Sequence, residues 1–395
     1  MASGHTPERT TGTYVTTSVA GEPVRAFVPH ALPPDPPLQL KAPDLELLER
    51  ANLAVGRLDG VAKMIPETSL FLYFYVRKEA VLSSQIEGTQ SSLADLLLYE
   101  SKQTPGVPID DVEEVSSYVA ALNHGLKRMR GGFPLSLRLL RETHSVLMRT
   151  GRGSTKQPGE FRRSQNWIGG SRPSTAAFVP PPPDKVVDLM GALEKFMHNE
   201  PTPTSSLIKA GLSHVQFETI HPFLDGNGRI GRLLITLLLC AEGVLSEPIL
   251  YLSLYFKQHR NEYYERLEKV RSAGDWEGWL RFFLTGVMET ADQAAATAQR
   301  TAMLFEKDTQ KIAALGKASA TALRLFHLLQ KRPVISLVAV AKQLKVSFPT
   351  AASSMANLER LKIARESTGL ARGKIFVYDR YLKLLQEGTE PIRES

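Results

Sequence analysis

Apolar residues recur three and four positions apart over most of the chain between residues 44 and 305, the spacing of helices that each bury one face. That periodicity predicts helices over 44–64, 69–86, 91–99, 112–129, 136–149, 184–198, 203–219 and 229–242. It continues over 257–271 and from Trp276 past Phe305. Asp184 and Thr204 stand where N-caps belong. Two stretches break the period. The first 40 residues are rich in Pro and Thr and end in LPPDPPLQL, which predicts an extended, polyproline-like arm lying on the body. Between Gly159 and Pro183, Gly-Gly and Pro punctuate short extended runs, a hairpin signal inside a helical protein. Such a hairpin either holds something or is a surface excursion, and the pattern leaves both open.

A second pattern begins after Gln310. Residues 319–330, 337–344 and 348–361 predict three short helices, with Ser319 capping the first. Residues 362–378 alternate around the turns Thr368-Gly369 and Arg372-Gly373, as a strand–turn–strand wing does. Ser347 and Pro349 mark the start of the third helix, so the segment describes a winged helix-turn-helix. The expected fold is mainly α: a helical body with a β-hairpin flap, plus this C-terminal unit. The expected divisions are an arm (1–40), an N-terminal helical region (41–130), a core (131–310) and the winged unit (311–395).

Composition narrows the class. A chain of 395 residues with 43% apolar and 23% charged residues is neither disordered nor low-complexity. No apolar run approaches the ~18 residues of a membrane span, and Leu233–Cys240 is the best of them. The N-terminus lacks the apolar core of a secretory signal. The single cysteine, Cys240, forbids an intrachain disulfide and fits a reducing cytosol, so a cytoplasmic protein is expected. The net charge of +7 is uneven: Lys317–Ser395 carries 14 basic and 6 acidic residues, leaving the body near neutral. A basic tail unit implies a local anionic partner.

The chemistry concentrates in His221-Pro-Phe-Leu-Asp-Gly-Asn-Gly-Arg-Ile-Gly-Arg232. Gly226 and Gly228 free the backbone to turn its N–H groups inward, and the following helix presents its positive end. Arg229 and Arg232, three apart, share a helical face beside that anion site. Asp225 offers a hard oxygen suited to Mg²⁺, Asn227 an amide donor, and His221 a titratable base. A lone His or a lone Gly-x-Gly is ordinarily structural. Here all the components of phosphoryl chemistry fall within twelve positions in a usable order.

HPFLDGNGRIGR resembles, without departure, the HPFx(D/E)GN(G/K)RxxR signature of the Fic family. GEFRRSQNWIGG and FVPPPPDKV resemble that family's target-docking hairpin, and the similarity runs over roughly residues 30 to 300. The resemblance implies transfer of AMP from ATP to a Ser, Thr or Tyr hydroxyl of a protein. It implies that His221 deprotonates the acceptor and that Asp225 holds Mg²⁺ on the α- and β-phosphates. Asn227 and the N–H groups around Gly226 and Gly228 would cradle the phosphates, with Arg229 on the α/β region and Arg232 on the γ-phosphate. Other relatives transfer UMP or phosphocholine, which the motif does not separate.

Ser83-Ser-Gln-Ile-Glu-Gly88 resembles the family's inhibitory (S/T)xxxE(G/N) motif. Ser83 and Glu87 are i and i+4 on one face, and Gly88 suits a left-handed C′ position. The resemblance names Arg232 as the partner of Glu87, a pairing that withholds the γ-phosphate arginine. Glu87 alternatively assists hydrolytic removal of AMP. The family's adenine site falls around Tyr251–Tyr264, where His259 replaces a common Asn and still offers a donor. Gln216, about one and a half turns before His221, is a further candidate nucleotide contact. Tyr263 and Tyr264 in this segment read first as core packing, with a nucleotide contact as the alternative.

The hairpin over 161–178 would bind a target segment as an added strand, and self-modification follows if a mobile hydroxyl reaches the site. The third C-terminal helix would read DNA through Ser347, Thr350, Ser353, Ser354 and Asn357, with Arg365, Arg372 and Lys374 on phosphates. The same fold also serves docking or homodimerisation. The alternative class is a DNA-binding regulator whose body only senses a nucleotide.

Overall fold

The computed structural model describes residues 9–390, apart from Ala20, 65–67, 101–106, Arg152 and 370–372. The N-terminal arm departs from expectation. It folds as an antiparallel hairpin, β1 (Gly12–Val19) and β2 (Glu22–Pro29), before running extended over the body. Its inner residues Val24 and Ala26 bury themselves against Val179, and Phe27 N–H donates to the Val179 carbonyl at 2.9 Å. The strands thus form because residues far along the chain give them a surface, which a reading of Pro and Thr content misses.

The body follows the helical pattern closely. Its N-terminal part comprises α1 (Ala42–Met64), α2 (Thr68–Ile86), α3 (Leu93–Glu100), α4 (Ile109–Arg130) and α5 (Leu137–Leu147). Then come α6 (Pro183–Met197), α7 (Ser206–Ile220) and α8 (Asn227–Ala241). The expected helix over 257–271 begins earlier and is broken at His259 into α9 (Ser253–Gln258) and α10 (Arg260–Ala273). The caps also differ. Pro182 and Ser205 precede α6 and α7, so Asp184 sits inside the first turn and Thr204 lies outside the helix.

α7 is buried from Leu207 through Ile220, and α8 is buried over most of its length, so this pair forms the centre of the body. A helix enclosed on all sides must satisfy its polar side chains internally. Lys209 accordingly reaches Glu242 at 2.8 Å, and His214 lies between the Gly231 carbonyl (2.9 Å) and the Tyr263 hydroxyl (2.8 Å). α2 lies against α4, α8 and α9, and α1 runs along α11 (Trp276–Ala313).

The flap is less regular than a hairpin. Among the described residues its only strand-like pairing is between Ile168 and Phe178, with a 3₁₀ turn at Pro173–Thr175 between them.

The C-terminal unit contains α12 (Ser319–Lys331), β3 (Val334–Ser336), α13 (Leu337–Leu344) and α14 (Phe348–Arg360). β4 (Arg365–Glu366), β5 (Ile375–Val377) and α15 (Asp379–Gln386) follow. The sheet order is β3-β5-β4, antiparallel throughout; β3 and α15 are additions to the three helices and two strands expected. Ser347 caps α14 through the Thr350 N–H, whereas Ser319 is the first residue of α12 and caps nothing. Ser354 faces the core, so it leaves the set of outward polar candidates. Arg372 lies outside the described residues. The unit is joined to the body through α11, whose buried Asp308 accepts from Tyr378 (2.7 Å) and Arg380 (2.7 Å). Its last residues return to the body, where the Gln85 side chain donates to the Thr389 carbonyl at 2.9 Å.

Candidate functional site

The site is the loop from His221 to Gly226, where α7 hands over to α8. His221 caps α7 in the left-handed conformation (φ 50, ψ 60), and Gly226 (φ 75) caps the start of α8. A histidine held there is strained by about 1–3 kcal/mol and persists only where its surroundings fix it. Arg162 does the fixing. Its Nε donates to the His221 carbonyl at 2.9 Å and its own N–H donates to the Pro222 carbonyl at 2.9 Å. The same guanidinium also binds the Pro181 carbonyl and reaches the Ile220 carbonyl at 3.3 Å. Asn166 adds a bond to the Phe223 carbonyl at 3.1 Å. The flap's root is therefore clasped onto the loop by hydrogen bonds from Arg162 and Asn166 to the carbonyls of residues 220–223.

Asn227 closes the loop on itself. Its Oδ1 accepts from Phe223 N–H and its Nδ2 donates to the Phe223 carbonyl, both at 2.8 Å. This corrects the expectation that its amide cradles phosphates: the side chain is committed to shaping the turn. What remains for an anion is the first turn of α8, whose N–H groups have no intrahelical partner. Arg229, expected on the α/β region, is buried and paired with Glu114 of α4 at 2.9 Å, while its Nε has no hydrogen-bond partner among the described residues.

The end of α2 covers this turn. Arg232 Nη2 lies 2.6 Å from Glu87 Oε1, its Nε donates to Ser83 Oγ at 2.8 Å, and Nη2 also donates to the Ser83 carbonyl at 3.0 Å. The helix stops in a Schellman arrangement: Thr89 N–H reaches the Ser84 carbonyl (3.3 Å) and Gly88 N–H the Gln85 carbonyl (3.1 Å), with Gly88 at φ 101. That stop delivers Glu87 to the α8 N-terminus. A Cβ added to Gly228 would sit 2.3 Å from Glu87 Oε1, so the carboxylate rests directly on the glycine of the anion turn. Ser83, Glu87, Gly88, Gly228 and Arg232 thus lie together at the start of α8.

Electrostatics follow from this enclosure. Burial, helped by Arg162, lowers the His221 imidazole to about 4, against the pull of the Glu218 carbonyl and Glu87. The ring is neutral at pH 7, as a general base must be. Burial pushes Glu87 up, but Arg232, with Arg229 and His221 beyond it, outweighs this and holds the carboxyl below its ordinary value. Burial raises Glu79 to about 7 despite its bonds to Ser253, Arg232's charge and Tyr118. Glu218 also rises to about 7 through burial, partly offset by Arg232.

Two expected nucleotide contacts have protein partners of their own. Gln216 donates to the His30 carbonyl at 2.8 Å, which fastens the arm to α7 and occupies that amide N–H. His259 is exposed at the α9–α10 break and packs on Tyr255, ring centroids 4.3 Å apart. Tyr251 and Tyr263 are core residues, the packing alternative, whereas Tyr264 is 41% exposed. Four residues at the site were not singled out from the sequence: Glu79, Glu114, His144 and Arg162. Only Glu79 left a local signal, since Glu79, Ser83 and Glu87 form an i, i+4, i+8 polar stripe on α2.

Among the described residues no group of three or more His, Cys, Asp or Glu side chains is placed to hold a metal ion. Asp225 stands at the loop mouth with its side chain 42% exposed, and its Oδ1 accepts from Gly226 N–H at 2.6 Å. One carboxylate with no protein cage suits Mg²⁺, which is commonly held by a single carboxylate, water and substrate phosphates. The donor set therefore fits that ion.

The matches to known proteins cover both the loop and the helix end that lies on it. Residues 45–127 match the family model "Fic/DOC family N-terminal" and residues 134–239 match "Fic/DOC family". The chain is 28% identical over 242 residues to "Protein adenylyltransferase Fic" of Drosophila yakuba, covering 60% of this chain and 44% of that one. It is 31% identical over 211 residues to the protein of the same name from Aedes aegypti, covering 52% and 39%. The chain spans less than half the length of these curated relatives. A crystal structure of a Fic family protein from Desulfovibrio desulfuricans G20 superposes with a TM-score of 0.57 at 20% identity, over 87% of this chain and 97% of that one.

Proposed function

The chain belongs to the Fic family, and from that premise we propose that it is a protein adenylyltransferase, held inactive by Glu87. The acceptor is a Ser, Thr or Tyr hydroxyl of a protein, this chain included, and the donor is ATP. The acceptor oxygen attacks the α-phosphorus, the bond from that phosphorus to the bridging oxygen breaks, and pyrophosphate leaves. His221 takes the hydroxyl proton, a role its neutral ring suits. The α8 N-terminus and Arg232 stabilise the negative charge of the phosphates. Asp225 would hold Mg²⁺, which when bound neutralises phosphate charge and assists departure of the leaving group. Asn227 and Arg162 act on the backbone, keeping the loop and His221 in place.

The observation that carries the reading is Glu87 lying on Gly228 and paired with Arg232, an anion seated where a phosphate chain would bind. Withdrawal of that carboxylate is the event that admits ATP productively. The acceptor segment would dock on the flap over 161–178, beside the Ile168–Phe178 pairing and the 37% exposed Trp167. The test is donor labelling: Glu87→Gly with Mg²⁺ should retain label from α-phosphate-labelled ATP and none from γ-labelled ATP. Retention of the γ-label would refute it.

A second role is proposed for the C-terminal unit, favoured by exposed Ser347, Thr350 and Ser353 on α14 and exposed Lys342, Lys345 and Lys362 beside it. These suit duplex DNA, with basic residues on phosphates. Binding of the intact protein to duplex should then weaken steeply with salt; binding that ignores salt, or no binding, refutes it.

A further inference from the structure

His144 of α5 lies fully buried between the flap root and the loop, and its two ring nitrogens are used on different partners. Gly159 N–H donates to Nδ1 at 2.8 Å, and Nε2 lies 3.0 Å from the Asp225 carbonyl. A backbone N–H only donates and a carbonyl only accepts, so the ring is neutral with its hydrogen on Nε2. The ring also stacks on Phe223, with centroids 3.7 Å apart and planes 6° from parallel.

The neighbours make the contact rigid on both sides. Gly159 (φ 83) is held at its other end by Arg141 of the same helix, whose Nε donates to the Gly159 carbonyl at 2.8 Å. On the loop side, a Cβ at Gly226 would lie 2.7 Å from Met148 Sδ and 3.6 Å from His144 Nε2. The loop therefore has no room to slide along α5. Arg162 joins the flap to His221, whereas His144 joins it to Asp225, the opposite end of the loop.

We infer that His144 is a positioning residue that fixes the acceptor-binding flap relative to the nucleotide-binding loop. This rests on the transferase reading for what the flap and loop bind, but not for the geometry. Displacement of reacting groups by about an ångström is enough to lose on the order of 10²-fold in rate, so one ring spanning both segments controls how a docked hydroxyl meets the α-phosphorus.

Two half-replacements separate the contacts in the Glu87→Gly protein. His144→Asn keeps an acceptor near the Nδ1 position, and His144→Gln keeps a donor near the Nε2 position. Calorimetry with ATP and Mg²⁺ should give a Kd within about twofold of the parent for His144→Gln and roughly 10-fold weaker for His144→Asn, as expected for one buried hydrogen bond. Amide exchange should rise at Gly159–Phe161 in His144→Gln and at Asp225–Asn227 in His144→Asn. In the unsubstituted protein, ATP with Mg²⁺ should slow exchange at Gly159–Phe161 as well as in the loop. Equal changes in both variants, no change in either, or a flap root indifferent to ATP would overturn the inference. If the parent binds ATP but retains no α-label, the transferase reading fails while the exchange pattern still decides His144.

Discussion

Arg232 on α8 holds both ends of one turn of α2: Ser83 through its hydroxyl and carbonyl, and Glu87 through a 2.6 Å ion pair. The arginine side chain is 2% exposed and the glutamate side chain 36%, so removing the carboxylate leaves a buried cation short of its counter-charge. A buried pair broken this way costs about 3–5 kcal/mol, and the half-open glutamate reduces that to about 1–3 kcal/mol. Glu87→Gly is expected to lower the Tm of the free protein, and ATP with Mg²⁺ to raise it by more than in the parent. Thermal unfolding with and without nucleotide checks both; an unchanged Tm would mean the pair carries no energy.

As the proposed general base, the imidazole of His221 sets the acid limit of the proposed reaction. Its neutral form accepts the proton, and its value is lowered to about 4, so the base is lost only as pH falls through that region. For Glu87→Gly, kcat/KM, which reports the free enzyme, should show no acid limb between pH 8 and pH 5.5. A limb near the ordinary histidine value of ~6.5 would show that burial and Arg162 do not act on this ring as described.

Glu114 neutralises Arg229 in a site where neither side chain is more than 6% exposed. Glu114→Ala should therefore destabilise the protein by about 3–5 kcal/mol, read from urea unfolding. An effect under about 1 kcal/mol would show that Arg229 finds another counter-charge without Glu114.

The difference between what the sequence revealed and what it hid is one of distance along the chain. The helices of the body were readable because each buries a stripe at helical spacing, and His221 to Arg232 because its chemistry is contiguous. Glu114, His144 and Arg162 were not, because each comes to the loop from a separate segment. Asn227 misled for a local reason: an amide beside two glycines resembles a phosphate donor, yet closure back to Phe223 uses both of its ends. The N-terminal hairpin was hidden because its apolar partner is Val179, more than a hundred residues away.

Gln216 offers a test of one such correction. Because its amide holds the His30 carbonyl, Gln216→Ala should leave the Kd for ATP with Mg²⁺ within about twofold. Amide exchange in the arm after β2 should rise, with a stability loss of about 1 kcal/mol for the missing bond. A nucleotide affinity that falls 10-fold would return Gln216 to the binding site.

In the proposed function, His221 drives adenylyl transfer once Glu87 no longer occupies the anion turn. Intact-mass spectrometry of Glu87→Gly and of Glu87→Gly/His221→Ala, each after exposure to ATP and Mg²⁺, tests it most directly. The first protein should gain an adenylyl group and the second none, with ATP binding retained by both. An adduct on both, or none on a Glu87→Gly protein that binds ATP in the presence of an acceptor-rich lysate, would contradict it.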